Sequence, residues 1–191
     1  HTTLTFETVP TPDAPTAPAP HYHFAFNIPE NQLQESLEWA RGRVAIIQDA
    51  TGREIFHFEA WNAHGFYFLD PAGNIVEFIA RHTLQNASQS PFTQESIGEV
   101  SEIGLVVPDV PAAAAALHAA LGITPYLGRT SDEFTAMGDE HGMVILVREG
   151  RHWFPLEGDQ ARPARVFRVE LKTKEDSAPM VPIHGIPFVL K

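Results

Sequence analysis

The chain has 191 residues, 24 acidic against 13 basic side chains, and a formal net charge of −11. That balance, without a basic run, argues against a phosphate footprint for nucleic acid. The absence of cysteine excludes disulfides, thiolate metal sites and a cysteine nucleophile, and fits a cytoplasmic protein; no apolar run approaches the roughly 20 residues of a membrane span.

In chain order, "TTLTFE" (2–7) has strand composition and follows His1 directly, with no initiator Met. The chain is therefore expected to begin inside a folding unit. Residues 9–20 hold five prolines and read as an extended surface loop. A strand is expected over 22–28, "YHFAFNI". "PENQLQESLEWARG" reads as a helix, with Leu33, Leu37 and Ala40 at i, i+4, i+7 and Gly42 at the C-terminal cap. Strand-like runs follow at 44–48, 54–61 and 65–80. The last is broken by "DPAGN", where Pro71 presets φ and Gly73 supplies positive φ.

The pattern then returns. "EIGLVV" (102–107) reads as a strand. "DVPAAAAALHAALG" (109–122) reads as a helix with an Asp cap, Pro in its first turn and Gly after its end. "FTAMGDEHGMVILV" (134–147) mirrors "YFLDPAGNIVEFI", so that Asp70 falls on Asp139, Gly73 on Gly142 and Glu77 on Leu146. The polar stretch 82–98 separates the copies, and "ARVFRVEL" (164–171) reads as the first strand of a further, shortened copy. The copies are not equal: one carries His23 and Glu77 where the other carries Glu102 and Leu146.

Strand parity puts His23 on one face with Ala25, and Glu77 on one face with Ile75 and Ile79. An ionised carboxylate on an inward face needs a cation or donor. A divalent metal is one solution; a solvent-facing Glu77 at the rim of a half-open sheet is the other.

A repeated β-α-β-β-β unit, an "H-x-A-F" first strand and a "DPAGNIVEF" turn-strand together resemble the vicinal oxygen chelate superfamily, which includes glyoxalase I, extradiol dioxygenases and bleomycin-resistance-type binding proteins. The resemblance implies an α+β fold in which repeated βαβββ modules form curled mixed sheets around a cleft. It implies a module pair over residues 1–94, incomplete at its start and carrying the site, and a degenerate pair over 95–191. His23 matches the family's first-strand ligand and Glu77 its last-strand ligand. The partner module is expected to be the one ending at residues 2–7, with Thr5 at its ligand position and Glu7 two residues on. With Thr5, the centre would be an unseen histidine plus His23 and Glu77, suiting Fe or Mn and dioxygen chemistry. With Glu7, it would be a four-ligand, glyoxalase-like set suiting Zn or Ni and isomerisation. The second copy, with Glu102 as its one candidate ligand, is expected to hold no metal.

His57 and His64 are secondary candidates for an acid or base near the cleft; Trp61, Phe66 and Phe68 read as core or pocket wall, which strand parity alone does not decide. "REGRHWFP" (148–155) reads as a surface loop with one aromatic plug, the alternative being a grip on an anionic ligand. The function implied is a metal-dependent lyase, isomerase or dioxygenase acting on a small substrate with vicinal oxygens. The alternative is a metal-free small-molecule-binding protein of the bleomycin-resistance type. In this superfamily modules pair within or between chains, the second giving a homodimer.

Overall fold

The computed structural model describes residues 21–156, 158, 161 and 162. The expected strands at 2–7 and 164–171, the proline-rich loop 9–20, Thr5 and Glu7 lie outside these residues.

The first copy contains β1 (His23–Ile28), α1 (Leu33–Arg41), β2 (Phe56–Phe58), β3 (Ala63–Leu69) and β4 (Ile75–Arg81). The second contains β5 (Val100–Val107), α2 (Val110–Leu121), β6 (Phe134–Asp139) and β7 (Gly142–Arg148). Together the strands form one mixed sheet in the order β2-β3-β4-β1-β5-β7-β6, curled into a half-barrel. β1 runs parallel to β4, and β5 parallel to β7. The copies join along an antiparallel β1–β5 seam, in which Phe24 faces Ile103 and Ala25 faces Glu102. The α+β repeat read from the sequence is thus the fold found.

The local chemistry acts as expected at the second helix. Asp109 caps α2 by accepting a hydrogen bond from the Ala112 amide at 2.9 Å, and Gly122 ends it at φ +69°. In the "DPAGN" turn, Asp70 Oδ1 accepts from the amides of Ala72 and Asn74, both at 2.8 Å. Two strand expectations shrink. Residues 44–48 contribute a single bridge, Ile46 to Phe68, and 54–61 gives only the short β2 before a 3-10 turn over Glu59–Trp61. In the second copy a bridge between Pro125 and Met137 matches the Ile46–Phe68 bridge of the first.

Both helices cover the same face. α1 packs Leu37 and Ala40 on Ile28, Phe66, Phe78 and Ala80. α2 packs Ala113 and Leu117 on Leu105, Val107, Val144 and Leu146. The opposite, inner face brings Tyr67 and Ile75 of the first copy against Val106, Met143 and Ile145 of the second. β4 is buried on both faces along its whole length.

The match of Glu77 to Leu146 is corrected by register. Leu69 and Ile75 close over five residues, whereas Asp139 and Gly142 close over two. The shorter turn shifts β7 by one residue relative to its copy, and such a shift reverses the faces. Leu146 therefore lies under α2. His23 pairs with Ile75 and Glu102 with Met143, so two residues on, Glu77 corresponds to Ile145.

Candidate metal centre

Three ionisable side chains meet on the inner face at the seam: His23 from β1, Glu77 from β4 and Glu102 from β5. One ligand atom from each lies within 4.8 Å of the others. His23 Nε2 is 3.7 Å from Glu77 Oε2 and 3.7 Å from Glu102 Oε2. These separations are too long for hydrogen bonds. They are close to the roughly 3–3.5 Å between neighbouring ligands that each sit about 2.1 Å from one ion. All three side chains are buried, at 6%, 2% and 4% relative exposure.

The imidazole is oriented from behind. His23 Nδ1 lies 3.3 Å from the Ile75 carbonyl oxygen; a proton donated there leaves the Nε2 lone pair facing the carboxylates. Space for these groups comes from two glycines. A Cβ on Gly104 would stand 3.0 Å from His23 Cβ and 2.8 Å from Trp153 Cη2. A Cβ on Gly65 would stand 2.7 Å from Glu77 Oε1 and 3.0 Å from the Phe78 carbonyl oxygen. Gly65→Ala is therefore expected to displace the Glu77 carboxylate, lower metal affinity tenfold or more, and cost about 1–3 kcal/mol of stability through overpacking. Calorimetric metal titration beside a thermal melt measures both.

Arg81, four residues beyond Glu77 on the same strand face, is fully buried. It pairs with Glu102, and its Nε donates to Asn27 Oδ1 at 3.1 Å. Asn27 is itself held, donating to the Glu140 carbonyl at 2.9 Å and to Glu99 Oε1 at 3.3 Å. On its other side the Arg81 guanidinium lies 5.5 Å from the Trp61 ring centroid.

The two carboxylates are driven apart electrostatically. Burial lifts the Glu77 carboxyl well above the usual range and the Glu102 charge adds to this, against the pull of Tyr67 and Arg81. Burial also raises Glu102, but the His23 imidazole and the Arg81 guanidinium outweigh it and leave Glu102 below its ordinary value. Burial and the two neighbouring carboxylates hold the Tyr67 phenol well above its usual range.

The segment after β7 closes over this group. Trp153 is buried, its ring 5.6 Å from that of His23, while Phe154 is partly exposed and packs edge-on to Phe56 and Tyr67. This is the aromatic plug expected of 148–155. The other candidates fall elsewhere. Phe66 and Phe68 sit on the helix-covered face beside α1, because they alternate with the inward Gly65 and Tyr67. Trp61 borders the inner face, against Tyr126 and Phe134. His57 and His64 stack across β2 and β3 on the face opposite the centre, 4.3 Å between centroids, with His64 Nδ1 2.9 Å from His82 Nε2.

Glu102 was placed by the sequence in a separate, degenerate copy. The seam instead puts it beside His23. Arg81 is signalled in the sequence only by its i+4 spacing from Glu77 within a strand, which places the two on one face.

The donor set fits a divalent ion. One imidazole and two carboxylates are suitable ligands, and Glu77 Oε1 is buried without a hydrogen-bond partner. Neither a protein-family model nor a curated protein matches the sequence. Solved structures do. A putative dioxygenase from Bacillus subtilis aligns with TM-score 0.50 and 14% identity, covering 81% of this chain and 47% of that one. A glyoxalase I variant from Zea mays aligns at 0.45 and 18%, covering 66% and 42%. Methylmalonyl-CoA epimerase from Mycobacterium tuberculosis aligns at 0.42 and 12%, covering 66% and 85%. All three are members of the vicinal oxygen chelate superfamily, and the likeness is one of fold. The chain spans less than half the length of the dioxygenase and the glyoxalase. Among the described residues no helix is long and apolar enough to cross a membrane.

Proposed function

We propose that this is a metal-dependent enzyme of the glyoxalase and extradiol dioxygenase type, with His23, Glu77 and Glu102 holding one divalent ion per chain. The observation that carries this reading is the buried convergence of three ligand atoms with Glu77 Oε1 left unpartnered. When bound, the ion supplies Lewis acidity toward two vicinal oxygens of a small substrate. The rest falls to the chain. Ile75 fixes the imidazole, Arg81 holds Glu102, and Trp153 with Phe154 excludes water from the centre.

One nitrogen and two carboxylates is a harder donor set than either combination expected from the sequence. It favours Mn(II) or Fe(II) over Zn or Ni. The three groups come from one chain, so no second copy is needed to assemble them. A cytoplasmic setting remains part of this reading.

The test is a titration of chelator-treated full-length chain with Mn(II), Fe(II), Zn(II) and Ni(II). The expected result is one ion per chain and a higher melting temperature with metal. Uptake of none of the four would overturn the metal reading in favour of a metal-free small-molecule-binding protein.

A further inference from the structure

Among the described residues, five buried side-chain atoms have no hydrogen-bond partner: Gln32 Oε1, Glu77 Oε1, Arg81 Nη1, Ser101 Oγ and Trp153 Nε1. Three of these belong to side chains gathered at the metal centre. Glu77 is 3.7 Å from His23, Arg81 pairs with Glu102, and the Trp153 ring is 5.6 Å from that of His23. Buried polar atoms are rarely left unmet, so such a concentration needs a reason.

The three atoms ask for opposite partners. Glu77 Oε1 is an acceptor and is satisfied by a cation. Arg81 Nη1 and Trp153 Nε1 are donors and are satisfied only by acceptors. Charge points the same way. Two carboxylates and one guanidinium sum to one negative charge; adding a divalent ion leaves one positive charge in a place closed to water. Excess positive charge there favours an anionic ligand.

We propose that the organic ligand of this centre is a small oxyanion of the 2-hydroxy-acid or 2-oxo-acid class, and that Arg81 and Trp153 donate to its oxygens. This rests on the metal reading above. Arg81 is set for the task, because its Nε and Nη2 are already fixed by Asn27 and Glu102, so its third nitrogen is held in place. Trp153 reaches the centre because Gly104 leaves room beneath its ring. The burial of every member limits the ligand to a small one.

The test uses Mn(II)-loaded full-length protein with oxalate as the probe, both affinities being read by calorimetry. Trp153→Phe removes the N–H and keeps a ring. It should bind Mn(II) within about twofold of the parent but oxalate about fivefold more weakly, the effect of one lost hydrogen bond. Arg81→Lys keeps the charge and loses the planar fork. It should weaken oxalate binding about tenfold beyond any change in Mn(II) affinity. Oxalate bound by Trp153→Phe as tightly as by the parent would overturn the role of Trp153. Equal proportional losses of Mn(II) and oxalate in Arg81→Lys would show that Arg81 serves Glu102 alone. A parent that binds Mn(II) but not oxalate overturns this inference and leaves the metal reading standing; a parent that takes up no metal overturns both.

Discussion

Glu77→Gln should lower Mn(II) affinity about a hundredfold or more and, in the same protein without metal, raise the melting temperature at pH 8 by a few degrees. The loss of affinity follows from removing an anionic ligand, since changes that merely reorient a ligand already cost 10- to 100-fold. The gain in stability follows from burial. The Glu77 carboxyl sits well above its ordinary value because it is desolvated and faces the Glu102 charge. From about 4.5, where the unfolded group ionises, up to the raised folded value, the folded state holds a proton that the unfolded state has lost. Stability therefore falls as pH rises through that window. Glutamine carries no such proton and escapes the fall. Below pH 4.5 the two metal-free proteins should melt alike, and the gap should open above it. Melts of parent and variant with chelator across pH 4–9 give the answer; a variant less stable than the parent at pH 8 would show that Glu77 is not a strained buried acid.

Glu102→Gln should also weaken metal binding, but its effect on stability has the opposite sign. Glu102 is the partner of the fully buried Arg81. Without it the guanidinium is a buried cation lacking its counter-ion, a loss of about 3–5 kcal/mol. In a chain of this size that lowers the melting temperature by roughly 10 °C. Relief of Glu77, which no longer faces a second carboxylate, opposes this in part. The pH dependence is again reversed. Glu102 lies below its ordinary value, so its contribution is present above about 4.5 and is lost as pH falls through the folded value. Two adjacent glutamates with opposite stability signatures distinguish this electrostatic arrangement from a generic acidic patch. Equal melting temperatures for Glu102→Gln and the parent at pH 7 would count against it.

What the sequence shows and what it conceals divide along sequence distance. α2 was legible because Asp109, Pro111 and Gly122 act on their immediate neighbours. Alternation along single strands put His23 on a face with Ala25 and Glu77 on a face with Ile75 and Ile79; that these faces turn inward was implied only by the family resemblance. Glu102 could not be placed that way. Its position depends on the β1–β5 seam, a pairing across more than seventy residues. The difference between Ile145 and Leu146 depends on the length of a turn, and one residue reverses a whole strand. The short β2 was overestimated because "EIFHFEAW" has strand composition throughout, whereas Asn62 takes a left-handed conformation at φ +46° and ends the run in a 3-10 turn. Arg81 ends a strand, where an arginine reads as solvent-facing; only the inward fold of the sheet buries it.

The seam gives the centre a mechanical meaning. Two of its groups belong to one half of the chain and the third to the other, and the halves are tied covalently by the polar connector 82–99. An ion held by all three would be a rivet through the joint, stabilising only the docked arrangement, by an amount set by its concentration relative to its dissociation constant. Cutting the connector would then leave two fragments, still joined by the β1–β5 seam and the shared inner-face core, whose association the ion strengthens. Metal availability would then set how tightly the halves are held as one body.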